Sequence, residues 1–212
     1  MVIYENLIEC LLDGDEESVV KEVTHLHENG VDAEAILTEG LISGMDRVGV
    51  LFENDELFLP EMLASASAMK EAVKSLKPYL SEGSTFSAGK IVFATVEGDI
   101  HDIGKNLCIS MLEGAGFEVI DLGVDVKTET IIHAVFSEKP DILCLSALLA
   151  LTMPPMRDAI KALEKENARS AVKVIIGGAP ITQEYADEIG ADGYSDDASG
   201  CVTLAKRLLK LA

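Results

Sequence analysis

The spacing of apolar residues changes once along this chain, just past residue 80, and that change constrains the fold more than any other feature. Before it, apolar residues recur at intervals of three and four. Leu7, Leu11 and Leu12 come first, then Val19, Val20, Val23 and Leu26, then, after Gly30, Ile36, Leu37, Leu41, Ile42, Met45 and Val48. Leu59-Pro60 opens a further segment through Met62, Leu63, Met69 and Val73. A proline at a helix start is tolerated because its missing N–H would be unpaired there anyway. Four amphipathic helices with short connections predict a small antiparallel bundle. Beyond Gly89, short apolar runs alternate with amphipathic stretches. Strands are expected at Ile91–Val96, Glu118–Leu122, Ile142–Ser146 and Val172–Ile176, with a short fifth at Gly193–Ser195. Helices are expected between and after them, over 102–115, 128–138, 153–167, 182–189 and 198–211. This alternation predicts an α/β domain with a doubly wound, five-stranded parallel sheet of the flavodoxin or Rossmann type. The stretch containing Ser81, Gly83, Ser84 and Ser87 reads as a linker. The expected division is a helical bundle over 1–82, a linker over 83–89 and an α/β domain over 90–212.

Charge narrows the function. Among 212 residues, 37 acidic and 17 basic side chains give a formal charge of −20. Such a surface repels phosphate backbones and anionic lipid, which argues against nucleic-acid and membrane partners. No run approaches the roughly 18 apolar residues of a membrane-spanning helix. The start, Met1-Val2-Ile3-Tyr4-Glu5, lacks the basic region of a secretory signal. Cys10, Cys108, Cys144 and Cys201 are scattered with no Cys-x-x-Cys pair, against a zinc or thioredoxin-like site. Buried free thiols in a reducing, cytoplasmic compartment are expected instead.

Open α/β sheets bind ligands outside the carboxyl ends of their strands. The first expected strand runs into Glu97-Gly98-Asp99-Ile100-His101-Asp102-Ile103-Gly104, the third into Ser146-Ala147-Leu148, and the fourth into Gly177-Gly178-Ala179. A lone loop histidine is ordinarily no ligand. His101, however, has a carboxylate two residues before it, and a ligating imidazole commonly needs its second nitrogen bonded to such a group. His25, His27 and His133 read as solvated or core-edge residues, and no cage of metal ligands surrounds His101 in the sequence. One protein ligand on a metal implies that a macrocycle supplies the other positions.

The pattern is Asp99-x-His101-x-x-Gly104, then 41 residues (105–145), Ser146-x-Leu148, then 28 residues (149–176), and Gly177-Gly178. It resembles the signature of cobalamin-binding domains that hold the cofactor with its base displaced. The helical half is similar to the cap that precedes this domain in corrinoid proteins of methyltransferase systems and in methionine synthase, through Phe52-Glu53-Asn54-Asp55-Glu56-Leu57-Phe58-Leu59-Pro60-Glu61-Met62-Leu63 and Ala68-Met69-Lys70.

The resemblance implies that His101 is the lower axial ligand of cobalt. Asp99 and Thr152 would complete a proton relay that couples the ligand to the cobalt oxidation state, Co(I) or methylcobalamin. Ser146 would bond the displaced base, with Asp102, Ile103, Leu148, Ala179 and, more weakly, Tyr194 and Asp196 near the cofactor. Gly104, Gly177 and Gly178 would leave room for the nucleotide tail, and Phe52, Leu59 and Met62 would cover the methyl face. Where relatives often carry a hydroxyl bonding the cofactor, this chain has Ala150.

Each residue also has a plainer reading. Gly177-Gly178 is an ordinary turn, Phe52, Leu59 and Met62 fit a bundle core, and Thr152 can cap the helix starting near Met153-Pro154. The function implied is a methyl carrier, the non-catalytic corrinoid subunit of a cobalamin-dependent methyltransferase system. It would serve a substrate-specific methyltransferase and a corrinoid:folate or corrinoid:thiol methyltransferase, with a reductive activase as a further partner. The alternatives are a cobalamin-dependent sensor module, for which a DNA-binding segment would be expected, and a mutase cofactor subunit, which generally lacks such a cap.

Overall fold

A computed structural model describes residues 2–54, 56–80 and 88–211; Asp55 and most of the expected linker, residues 81–87, lie outside the described residues. The chain divides into two compact units, Met1–Phe86 with Glu113–Gly116, and Ser87–Leu112 with Phe117–Ala212.

The first unit contains α1 (Glu5–Leu12), α2 (Glu16–Glu28), α3 (Ala33–Ala35), α4 (Ser43–Glu53) and α5 (Leu59–Leu76). Ile36–Ile42, between α3 and α4, keeps helical backbone angles at both ends but has the wider π geometry. The three segments therefore form one rod, and the unit has the four helical rods expected. Periodicity could not reveal the π stretch, where Gly40 lies so near α1 that a Cβ would stand 2.8 Å from Leu7 Cδ2. Helix starts follow local chemistry. Asp15 and Asp32 accept the first free N–H groups of α2 and α3, and the Glu61 carboxylate accepts the Phe58 N–H at 2.7 Å ahead of α5. The apolar stripes turn inward, burying Leu7, Leu11, Val19, Val23, Ile36, Leu41, Val48 and Met69.

The second unit holds β1 (Lys90–Thr95), β2 (Glu118–Asp121), β3 (Ile142–Ser146), β4 (Lys173–Gly177) and β5 (Gly193–Ser195), all parallel, in the order β2-β1-β3-β4-β5. This is the flavodoxin order, which the sequence left open against the Rossmann one. The helices are α6 (Ile103–Gly114), α7 (Thr128–Glu138), α8 (Pro154–Lys165), α9 (Gln183–Ile189) and α10 (Ala198–Leu208), close to expectation. One face of the sheet packs Val92, Ala94, Leu143, Leu145, Val174 and Ile176 against α7, α8 and α9. Side chains alternate between faces along a strand, so register decides what lies opposite. Phe93, Cys144, Ile175 and Gly193 form one row on the other face, and Thr95, Ser146, Gly177 and Ser195 form the next, at the carboxyl ends. The first row alternates the bulky Phe93 and Ile175 with Cys144 and Gly193, and the second is small throughout. Among the described residues, no helix is long and apolar enough to cross a membrane.

Asp32→Ala should lower the unfolding free energy by about 1 kcal/mol, while Asp32→Asn, which keeps the cap acceptor, should cost far less. Urea denaturation followed by circular dichroism checks both.

Candidate functional site

The site begins where β1 ends. The chain turns at Val96, whose carbonyl accepts the Asp99 N–H at 3.1 Å. The turn is held from two sides. The buried Thr95 hydroxyl donates to the His101 carbonyl at 3.0 Å. Asp125, past the end of β2, accepts the Gly98 N–H at 2.7 Å on Oδ1 and donates its own N–H to the Asp99 carbonyl at 2.8 Å. Asp125 does this at φ 51°, a left-handed conformation that Asp tolerates better than most side chains.

Within this frame Asp99 is wholly buried. Its Oδ1 accepts the His101 N–H at 3.1 Å and faces His101 Nδ1 at 2.7 Å. Its Oδ2 accepts the Leu148 N–H at 2.7 Å, the Leu149 N–H at 3.3 Å and the Thr152 hydroxyl at 2.6 Å. Burial alone would raise the carboxyl pKa, but the bonds from Thr152, Leu148 and His101 outweigh it and hold the group well below the usual carboxylate range. An ionised acceptor orients the imidazole: Nδ1 donates its hydrogen to Asp99, which leaves Nε2 as the ring's other nitrogen for a ligand. The His101 side chain is 46% exposed, so the ring is anchored on one side and open on the other.

Beside it opens a cavity of about 580 Å³. Its sheet side is lined by Phe93, Cys144 and Ile175 of the first row and by Ser146, Gly177 and Ser195 of the second, and its helical walls come from Leu107 and Cys108 of α6 and from Ala198 and Cys201 of α10. At its mouth, apolar side chains stand in solvent. Ile103 is 86% exposed, and Ile100 and Leu148 are exposed with it; Leu151, on the turn after β3, is 90% exposed. Apolar surface gathered round a half-exposed histidine marks a ligand surface.

The three strand-end segments converge. Asp102, Ile103, Gly104, Ser146, Leu148, Gly177, Gly178, Ala179 and Asp196 all line the cavity with His101. The glycines differ in their reasons. A Cβ on Gly178, at φ 125°, would stand 1.9 Å from the Ala147 carbonyl oxygen, and one on Gly177 would stand 3.0 Å from that of Ser195. Close backbone approach therefore requires both glycines, whereas a Cβ on Gly104 would meet no protein atom within 4 Å. Only Gly104 leaves open space.

Thr152 does not cap α8, which has no side-chain cap; its hydroxyl faces Asp99 at 2.6 Å and the Leu149 carbonyl at 2.9 Å. Tyr194 packs on the core of the opposite sheet face, because alternation along β5 sends Ser195 to the cavity instead. In the other unit Phe52 is half-buried and Leu59 exposed, whereas Met62 is buried and offers little surface. Ala150 is exposed on the turn Ala150–Thr152.

Sequence reasoning missed three features. Asp125 carried no signal, because its role depends on a backbone turn. Lys105 has a side chain only 1% exposed, bonded to Asp121 Oδ2 at 2.6 Å and Asn106 Oδ1 at 2.9 Å; a lysine amid Ile103-Gly104 and Leu107-Cys108 was its only trace. Cys108, Cys144 and Cys201, scattered in sequence, all line the cavity. Among the described residues, no group of three or more His, Cys, Asp or Glu side chains is placed to hold a metal ion.

Replacing Asp99 by Ala strands the Leu148 N–H, at about 1–3 kcal/mol for an unpaired buried group, while the Thr152 hydroxyl keeps the Leu149 carbonyl at 2.9 Å. The depressed pKa gives the sign with pH. The stabilisation is complete above the ordinary Asp value of about 3.9 and declines as pH falls below it towards the folded value. Urea denaturation from pH 7 to pH 3 should show the gap between wild type and Asp99→Ala narrowing only in that acid range.

Comparison with known proteins gives the family. Models of a B12 binding domain match residues 89–202 and residues 3–77. The chain is 48% identical over 180 residues to dimethylamine corrinoid protein 1 of Methanosarcina acetivorans, covering 84% of each chain. It is 40% identical over 214 residues to a corrinoid protein of Desulfitobacterium hafniense, covering 99% of this chain and 98% of that one. Among solved structures it is similar to the methanol:cobalamin methyltransferase complex from Methanosarcina barkeri, with a TM-score of 0.88 and 28% identity over 100% of this chain and 81% of that one. An imidazole backed by a buried carboxylate, set at the mouth of a cavity at the sheet's carboxyl edge, thus occurs in a chain that belongs to the B12-binding family, among the corrinoid proteins.

Proposed function

We propose that this chain is a methyl carrier that holds a corrinoid with its lower base displaced and with His101 Nε2 in the base's place. The observation that carries the reading is the setting of His101, with Nδ1 2.7 Å from the buried Asp99 carboxylate and a half-exposed ring lining the cavity. The site fits such a cofactor in several ways. One imidazole, that of His101, stands at the cavity to serve as a protein ligand. Ile103, Leu148 and Leu151 offer apolar surface to its ring, and Gly104 leaves space that no protein atom fills.

When bound, a corrinoid supplies a cobalt centre that can accept a methyl group and give it up. The chain's own residues do the rest. His101 binds, and Asp99 and Thr152 hold the proton at Nδ1 and so set the donor strength of Nε2. Ser146 stands in the cavity wall, where its hydroxyl can meet the displaced base. Phe52 and Leu59, in the helical unit, are the side chains we assign to shielding the methyl face from water.

The domain division at 1–82, 83–89 and 90–212 belongs to the same reading. So do the partners: a substrate-specific methyltransferase, a corrinoid:folate or corrinoid:thiol methyltransferase, and a reductive activase. The relatives are named for dimethylamine and for methanol, and we assign the choice of methyl donor to the partner enzyme. Four free cysteines suit a reducing, cytoplasmic setting.

Reconstitution with hydroxocobalamin tests the core claim. Wild type should show the base-off, histidine-on absorbance spectrum and His101→Ala should lose it; an unchanged spectrum and affinity in the variant would overturn the assignment. Gly104→Ala should act with opposite signs on two measurements. It should stabilise the protein without cofactor by roughly 0.5–1 kcal/mol, since alanine is the better helix former, and weaken corrinoid binding measured by titration.

A further inference from the structure

Both ends of the His101 loop are fastened to one segment, the turn that follows β2. At the front, Asp125 accepts the Gly98 N–H and donates its own N–H to the Asp99 carbonyl. At the back, where α6 begins, the Lys105 ammonium donates to Asp121 Oδ2 at 2.6 Å. Asp121 joins this contact to the turn itself. Its Oδ1 accepts the Gly123 N–H at 2.8 Å, and the Gly123 carbonyl accepts the Thr95 N–H at 3.0 Å. Thr95 in turn donates its hydroxyl to the His101 carbonyl. The Lys105 side chain is 1% exposed and that of Asp121 is 39% exposed. Taking an ammonium out of water costs about as much as an ion pair returns, and an apolar side chain of similar volume is often as stable in its place. Stability thus gives little reason for a lysine here. Position gives one, because a charge that must reach Asp121 fixes where α6 starts and hence where the loop ends.

We infer that the turn from Asp121 to Asp125 clamps the His101 loop, with Lys105 and Asp125 as positioning residues that set how firmly the imidazole can hold a metal. The inference rests on the proposed role of His101 as a cobalt ligand. A ring already held in place loses little freedom when it binds, whereas a loop released at one end must be ordered at that moment, which weakens binding. Lys105 and Asp125 act through the loop's backbone, one at each end. Asp99 acts on the ring itself, so the two kinds of support are separable by mutation.

The test loads the full chain with hydroxocobalamin, reduces it by one electron with a mild chemical reductant, and records electron paramagnetic resonance. Cobalt(II) holds an axial nitrogen more weakly than cobalt(III), so a loosened imidazole shows there first, and the nitrogen splitting separates histidine-on from histidine-off. Wild type should be mainly histidine-on. Lys105→Met should raise the ratio of histidine-off to histidine-on about tenfold, the lower end of what residues behind a metal ligand contribute. The urea midpoint of the same variant without cofactor should stay near that of wild type. Asp125→Gly keeps the left-handed backbone but removes the acceptor, and should raise the ratio as well; Asp125→Asn, which keeps an acceptor, should raise it far less. Asp125 is exposed, so this second pair decides the matter where Lys105→Met fails to fold. A ratio equal to that of wild type in the folded variants overturns the inference and leaves the corrinoid reading standing. A ratio that rises only in step with lost stability also overturns it, because the contacts are then ordinary packing. A wild type without nitrogen splitting, or a splitting that persists in His101→Ala, overturns the corrinoid reading itself.

Discussion

The buried carboxylate of Asp99 ties together the two loops between which the sheet changes direction. In the order β2-β1-β3-β4-β5, the chain leaves β1 towards one side and builds β3, β4 and β5 on the other. That reversal splays the loops after β1 and β3 and opens a crevice. Asp99 belongs to the first loop, while Leu148, Leu149 and Thr152 belong to the second. An ion removed from water is tolerated only when donors surround it, and here those donors come from both sides of the crevice. The arrangement of the crevice therefore follows from satisfying one charge. The orientation of His101 follows as well, because its Nδ1 completes the same set.

The cavity has a second physical cause. A helix covering a parallel sheet usually meets large branched side chains. On the face of α6 and α10, register instead interleaves Cys144 and Gly193 with Phe93 and Ile175 in one row, and aligns Ser146 with Gly177 and Ser195 in the next. Too little side-chain volume lies between sheet and helices to close the gap. Empty apolar space costs stability, and a ligand that fills it returns that stability through binding. The small residues of the last row thus weaken the packing and leave the cavity open. Lys105, buried beside this space and paired with Asp121, adds a tie from α6 to the end of β2.

Much of this was legible in the residue order. The four helical rods and five strands followed from periodicity, because burial on one face imposes spacings of 3.6 or 2 on the chain itself. The Asp99–His101 relation was legible because it is local, two residues apart on a strand-end loop. Thr152 and Tyr194 show where this stops. Thr152 has the chemistry of a helix cap, yet its hydroxyl serves a carboxylate 53 positions away. Tyr194 sits at the right edge of the sheet, but alternation turns it to the wrong face. Asp125 and the thiol cluster left no local trace, since each depends on elements far apart in sequence.

The residue order by itself determined the class of each element, the position of the candidate histidine and the carboxylate behind it, and a charge that disfavours polyanionic partners. These depend on spacing and composition, which are properties of the chain before it folds. Tertiary structure decided the strand order, the partners of Asp99, and which glycines serve backbone packing and which leaves space. It also decided that three distant cysteines share one wall. All of these are fixed by register between strands and by the placing of α6 and α10 on one sheet face. Register and placement are set by packing between segments remote in sequence, where no local pattern records them. His101 could therefore be found in the sequence, but the shape of the space beside it could not.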